Sequence, residues 1–226
     1  MRLERARRLA AALCGALLLA GLVPSGAARA QQDVPGRFDF YVLSLSWSPA
    51  WCEAQGADAD DEPQCSRARP FAFVVHGLWP QHARGFPQFC VRPAPYVPND
   101  LLRAMTEVMP SRGLVLHQWR KHGTCSGLGP QGYFDLVRDA KAKVEIPPEF
   151  QRLNTYRMVS PQEVEAAFRA ANPGLKPDMI SVECDSRRLR EVRICMGRDL
   201  AFTPCPEVDR RACRLGKMVM PPVRGG

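Results

Sequence analysis

Apolar positions along the chain fall into two periodicities. Phe38 to Leu45 and Phe71 to His76 are dense in Val, Leu and Phe and predict largely buried strands. Two later strands are expected at about Met179 to Cys184 and Leu189 to Met196; in the second, Val192 and Ile194 alternate with Glu191 and Arg193. Between these runs the period lengthens to that of a helix. Leu101, Leu102, Met105, Val108 and Met109 share one face of a helix that Asn99 or Asp100 can cap and Pro110 ends. Gly129-Pro130 opens a second, with Tyr133, Phe134, Val137 and Val144 as its apolar stripe and Pro147-Pro148 as its stop. A third begins at Ser160-Pro-Gln-Glu163, a capping box with proline at the first helical position, and buries Val164 and Phe168 before Asn172-Pro173. Glu53 to Pro70 reads as an acidic surface loop, and the tail from Met218, which lacks periodicity, is expected along the surface. Strands separated by runs of helices, with no repeated strand-helix-strand unit, predict an α+β domain.

The first thirty residues follow another pattern. Arg2, Arg5, Arg7 and Arg8 precede an apolar stretch from Leu9 to Val23, and Ala28-Arg-Ala30 supplies small residues before Gln31. This is the pattern of a secretory signal peptide over residues 1–30, and it predicts a periplasmic or secreted protein. The apolar stretch is short for a membrane span and is interrupted at Pro24, Ser25 and Gly26, so no membrane association is expected after cleavage. Cleavage after Ala30 leaves residues 31–226, a length that suits one domain. It also removes five arginines and one glutamate, lowering the net charge from +8 to +4. Such a surplus favours an anionic partner without specifying one.

Removing Cys14 with the leader leaves eight cysteines, Cys52, Cys65, Cys90, Cys125, Cys184, Cys195, Cys205 and Cys213. An even number in an exported chain predicts four disulfides, and the sequence alone leaves their pairing open. None of the eight stands in a Cys-x-x-Cys pair, which argues against zinc. The acidic run of Asp58, Asp60, Asp61 and Glu62 lacks the spacing and the glycine of a calcium loop. No metal or other cofactor is expected.

Two segments carry the candidate chemistry. Phe71-Ala-Phe-Val-Val-His-Gly-Leu-Trp-Pro-Gln81 and Leu116-His-Gln-Trp-Arg-Lys-His-Gly-Thr-Cys125 hold three of the chain's four histidines. If residues 114–123 are helical, a rotation of about 100° per residue gathers His117, Gln118, Lys121 and His122 in an arc of roughly 140°. Leu116 and Trp119 then point the other way. A stripe of proton donors and cations suits a phosphodiester transition state, on which negative charge accumulates. His76 closes an apolar strand and is followed by Gly77, where the chain can turn sharply. A lone histidine there is more often structural; the second segment is what gives it a partner. Two imidazoles suffice to cleave RNA through its own 2′-hydroxyl, one removing the 2′ proton and the other protonating the departing 5′ oxygen. DNA lacks that hydroxyl and would not be cut.

His76-Gly-Leu-Trp-Pro80 and His117-x-Trp-x-Lys-His-Gly-Thr-Cys125 resemble, in this order, the two active-site signatures of the ribonuclease T2 family. Tyr41 to Cys52 is similar to the family's first strand, and Ile194-Cys195, Cys205-Pro206 and Cys213 to its late cysteine pattern. The resemblance implies a disulfide-stabilised α+β fold whose central, mainly antiparallel sheet is flanked by helices. It also implies an endoribonuclease that cuts single-stranded RNA with little base specificity and without metal, giving 2′,3′-cyclic phosphates and then 3′-phosphates. Position by position, it gives His76 as general acid, His122 as general base, His117 and Lys121 as phosphate contacts and Trp79 as a base-stacking residue, with Phe86 as a second aromatic face. It pairs Cys52 with Cys65, Cys90 with Cys125, Cys184 with Cys213 and Cys195 with Cys205. A monomer acting on RNA is expected. His82 matches no motif position and reads as an ordinary surface histidine.

The chain departs from the family pattern in two places. Gln118 stands where the family usually has glutamate; it can still hydrogen-bond to phosphate or to a histidine but supplies no negative charge, and the expectation is a pH optimum shifted upward. Ser46 replaces a glutamine near the second base subsite, which bears on base preference. Two competing readings remain: a catalytically weakened RNA-binding or signalling module of the same fold, and a metal-dependent phosphatase or nuclease with the histidines as ligands. The second is disfavoured by the lack of an Asp or Glu beside the histidines in sequence.

Overall fold

The computed structural model describes residues 33–223; the leader expected over 1–30 lies outside the described residues. In chain order the elements are β1 (Phe40–Trp47), α1 (Ser48–Gln55), β2 (Phe73–Gln81), α2 (Asn99–Met105), α3 (Arg112–Lys121), α4 (Pro130–Ala142), α5 (Pro148–Gln151), β3 (Arg157–Val159), α6 (Pro161–Ala171), β4 (Ile180–Cys184), β5 (Leu189–Met196), α7 (Pro206–Asp209) and β6 (Met218–Met220). A four-stranded sheet runs β2-β1-β5-β4, antiparallel throughout, and β3 pairs with β6 in a separate small sheet. The fold is therefore α+β, with a central antiparallel sheet.

Register divides the large sheet into two unlike faces. Leu43 lies between Leu78 and Ile194, and Leu45 between Val75 and Val192. This row of apolar residues joins Leu102 and Met105 of α2, Phe134 and Val137 of α4 and Phe168 of α6 in one buried core. On the other face Val42 lies between Trp79 and Cys195, Ser44 between Gly77 and Arg193, and Ser46 between Val74 and Glu191. Partners in register share a face, so one side of the sheet is core and the other carries the polar and ionisable groups. Buried polar groups on the core side find partners. Tyr133 donates its hydroxyl to the Leu78 carbonyl at 2.9 Å, and Trp47 Nε1 donates to the Pro221 carbonyl at 3.2 Å. Such bonds offset the cost of taking a donor out of water.

Several boundaries differ from those the periodicity predicts. The first two strands end later, at Trp47 and Gln81, so His76 lies inside β2 rather than at its end. Helix α2 stops at Met105, not Met109, and begins without a side-chain cap. The Val108 carbonyl accepts from Val75 N at 2.9 Å, and this tie to β2 takes the chain out of the helix. Pro148 opens the short α5 instead of only ending α4, consistent with proline at a first helical position. The segment from Glu53 is α1 followed by two short 3₁₀ turns, rather than an irregular loop. The tail does not lie on the surface: Met218 and Met220 are buried, because three residues of β6 are enough to pair with β3 but too few to show a period. Ser160 and Glu163 form the expected capping box on α6. Disulfides close between Cys52 and Cys65, Cys90 and Cys125, Cys184 and Cys213, and Cys195 and Cys205.

Candidate active site

His76 is the extra residue of a β-bulge. Leu45 pairs with Val75 and Ser44 with Gly77, which leaves His76 with no counterpart on β1. Strand side chains alternate, and one inserted residue reverses the alternation. Phe73 and Val75 before the insertion and Leu78 after it can therefore all face the core, while Gly77 and Trp79 face the other way. The bulge directs the His76 imidazole to the polar face, where its Nδ1 lies 2.5 Å from Glu191 Oε1 on β5. Glu191 also accepts from Arg193 Nη2 at 2.9 Å, and Arg193 reaches Glu183 at 3.0 Å. Burial pushes the Glu191 carboxyl up, but the hydrogen bond from His76, the imidazole's charge and Arg193 outweigh it and hold it at about 2. Glu191 is thus a carboxylate at any working pH, and with Nδ1 fixed on it the His76 nitrogen left for chemistry is Nε2.

Helix α3 supplies the second group. Ser111 caps its N-terminus by accepting from Leu114 N at 3.4 Å, and the helix ends at Lys121 with His122 as its C-cap residue. His117 is exposed, Lys121 is half-buried and His122 is only 5% exposed. The His122 Nδ1 is buried without a hydrogen-bond partner among the described residues, leaving Nε2 as the nitrogen that can face the cleft. Burial first, then the charges of Lys121, His76 and His117, lower the His122 pKa from 6.5 to about 3. The same kinds of cause, burial and then Lys121, Arg120 and His76, lower that of His117.

Gln118 differs from the expected free member of the polar stripe. It is 2% exposed, and its Oε1 accepts from Trp79 Nε1 at 2.7 Å. That oxygen is taken by the indole, which it orients. Gly77 makes the contact possible, because a Cβ there would collide with both Trp79 Nε1 and Gln118 Oε1. Trp79 packs against both imidazoles, its ring centroid 5.2 Å from His76 and 5.4 Å from His122. The Arg193 guanidinium carbon lies 5.3 Å from the indole centroid, and the ring packs with Val42 and with Cys195 and Cys205 of one disulfide.

His76, Trp79, His117, Gln118, Lys121 and His122 line one cleft of about 270 Å³. Phe86 stands on its rim, 42% exposed, with its ring centroid 5.9 Å from that of His122 and 6.0 Å from Lys121 Nζ. His82 is not a surface residue: it is 8% exposed and contributes to the cleft wall. The chain turns back behind it, His82 N donating to the Gly85 carbonyl at 3.0 Å, which draws the ring inward. The Cys90–Cys125 bridge and a hydrogen bond from Phe89 N to the Lys121 carbonyl, 2.8 Å, tie the segment after β2 to the end of α3. Thus the cleft brings together His76, Trp79, Phe86, His117, Gln118, Lys121 and His122; Ser46 is not among its lining residues.

Sequence motifs missed Glu191, Arg193, Glu207 of α7 and Arg211 just beyond it, which also line or buttress the cleft. The signal for the first two was present: Glu191 and Arg193 alternate with buried Val192 and Ile194, so both had to share the face opposite the core. No feature of the sequence placed α7 at the cleft. Among the described residues no group of three or more His, Cys, Asp or Glu is arranged to hold a metal ion.

Comparison with known proteins bears on the whole arrangement. Among curated proteins, a ribonuclease of Aeromonas hydrophila is 36% identical over 182 residues, covering 78% of this chain and 80% of the relative. Among solved structures, RNase NT in complex with 5′-AMP superposes with a TM-score of 0.63 at 24% identity, over 82% of this chain and 98% of that one. Trichomaglin, described as an S-like ribonuclease, gives 0.65 at 20% identity over 81% and 98%. At such identities the two structures speak to the fold alone. The model of the Ribonuclease T2 family matches residues 38–205, a span that includes the bulged histidine, helix α3 and the carboxylate on β5, and the chain belongs to that family.

Proposed function

We propose that this ribonuclease cleaves single-stranded RNA by transesterification through the 2′-hydroxyl, with His122 as general base and His76 as general acid. One observation carries the reading: two imidazoles pack on the same indole in one cleft, one kept neutral by burial and the other held by a carboxylate. A neutral His122 accepts the 2′ proton through Nε2. The 2′ oxygen then attacks phosphorus, and His76 gives its Nε2 proton to the 5′ oxygen as the P–O bond breaks. Glu191 stays on Nδ1 throughout, as a positioning residue. In the second stage the roles exchange: water adds to the 2′,3′-cyclic phosphate and a 3′-phosphate remains. His117 and Lys121 offer positive charge and N–H donors to the phosphoryl oxygens as negative charge develops. Trp79 and Phe86 offer aromatic faces, and stacking of about 1–3 kcal/mol per base discriminates little between bases. Residues 1–30 act as an export signal and the remainder works as a monomer outside the cytoplasm.

Gln118, holding Trp79, has no proton-transfer role in this scheme, so its replacement of the family's glutamate leaves an active enzyme. The test is incubation of the oxidised mature protein, in chelator, with a single-stranded RNA and its all-DNA counterpart. Cleavage of RNA alone with cyclic or 3′-phosphate ends is the expected outcome. Loss of activity in chelator, or 5′-phosphate ends, would overturn it. His76→Ala is expected to lower turnover about 10²–10⁴-fold.

A further inference from the structure

A second groove lies on the other side of α3. It has a volume of about 580 Å³ and is walled by the segment Phe89–Val97 and by Arg112, Leu116 and Arg120 of the helix, with Trp119 among its lining residues. Three arginines, Arg92, Arg112 and Arg120, line it, and no carboxylate does. None of the three forms a salt bridge among the described residues; Arg112 donates only to the neutral Asn99 Oδ1, at 2.9 Å. Aromatic surface accompanies the charge. Tyr96 is 74% exposed, and the Arg92 guanidinium lies 4.6 Å above the Phe89 ring. Pro93 and Pro95 restrict the backbone of this wall, so little ordering is needed for a ligand to bind.

Unpaired cations interleaved with aromatic rings form a surface suited to single-stranded nucleic acid, backbone on the arginines and bases on the rings. The groove and the catalytic cleft lie on the two sides of one helix, joined by a short run of chain. Phe86 belongs to the cleft and Phe89 to the groove, three residues apart along a chain whose steps are at most about 3.6 Å. Helix α3 is the partition, with His117 and Lys121 on one side and Leu116 and Arg120 on the other. We propose that the groove binds the single-stranded RNA that flanks the scissile bond, making this a two-site enzyme that favours long substrates. The inference rests on the ribonuclease reading for its substrate.

The experiment compares the wild type with Arg92→Ala/Arg112→Ala and with Tyr96→Ala, whose exposed side chain leaves folding unaffected. kcat/KM is measured on a dinucleoside phosphate and on an RNA of about twelve nucleotides, a length within the usual span of a single-strand surface. In parallel, binding is measured with a 2′-O-methyl oligomer of the same length, which has no free 2′-hydroxyl to react. The double variant is expected to retain dinucleotide turnover, bind the oligomer about tenfold more weakly, and lower the slope of log affinity against log salt by about 1.4, or 0.7 for each lost phosphate contact. Tyr96→Ala is expected to weaken oligomer binding about tenfold with an unchanged salt slope. Variants that keep both oligomer affinity and salt slope overturn the proposal. Failure of the ribonuclease reading would look different: wild-type protein that binds the oligomer but cleaves neither RNA.

Discussion

At the scale of the residue, the placement of two imidazoles decides the pH behaviour. His122 has its pKa lowered to about 3 by burial and by neighbouring cations. The general base proposed for His122 works only when unprotonated, so a lowered pKa would extend activity toward acid. The acid limb of kcat/KM, which reports the free enzyme, is expected well below the ordinary 6.5, toward pH 3. This reverses the upward shift expected from the sequence: without a carboxylate at position 118 the base is easier to deprotonate, and the optimum moves down. Gln118→Glu should raise the acid limb, since a nearby negative charge favours the protonated imidazole. An unchanged limb in a pH-rate profile of that variant would show that position 118 does not act on His122. Glu191 is the second case. Glu191→Ala frees His76 Nδ1 and is expected to lower kcat about 10²-fold, the scale of a misplaced catalytic group, with KM little changed. Glu191→Gln retains an acceptor and should recover part of the loss. Equal losses in the two variants would mean that charge matters and orientation does not.

At the scale of the element, the bulge in β2 and the end of α3 make the site. Gly77→Ala puts a methyl group against Trp79 Nε1 and Gln118 Oε1. Displacing both should cost about 1–3 kcal/mol, as overpacking does, and lower activity as well, because the indole packs against both histidines. Ser160→Ala, which removes the capping box of α6 far along the chain, should cost about 1 kcal/mol and leave kcat unchanged. Urea denaturation together with kcat for both variants checks the contrast; a Gly77→Ala protein with wild-type kcat would separate the indole from the chemistry. These elements were unequally legible. α6 could be read because its cap and its apolar period agree. β2 was read only over its first four residues, Phe73 to His76: its bulge shows only as a break in alternation, Val75 and Leu78 both facing the core across His76-Gly77. Strand β6 could not be read, since a three-residue strand has no period and its burial comes from a distant partner. The histidines were legible as residue types at a spacing, whereas Glu191 comes from a strand more than a hundred residues later and is joined to His76 only by sheet register.

At the scale of the whole molecule, the feature that suits the base to acid also makes the fold sensitive to acid. An imidazole whose pKa falls from 6.5 to about 3 on folding stays neutral in the native state while the unfolded chain takes up its proton. Stability rises with pH wherever the unfolded state binds more protons. His122 therefore destabilises the native state progressively as pH falls from about 6.5 toward 3. Glu191 adds a second loss. Its carboxyl, depressed from 4.5 to about 2, contributes stability that is fully present above the unfolded value and disappears as pH falls through the folded one. Both effects run in the same direction and overlap between about pH 4.5 and 3. Against them stand four disulfides, whose loops constrain the unfolded chain at every pH, each typically contributing about 2–4 kcal/mol. The consequence can be measured by denaturing the oxidised protein in urea at pH 7, 5.5 and 4. The wild type should lose stability over that range, and His122→Asn, which has no proton to exclude, should lose distinctly less. Parallel curves for the two proteins would mean that His122 is not held neutral in the native state, and the low acid limb argued for its catalysis would fall with that result.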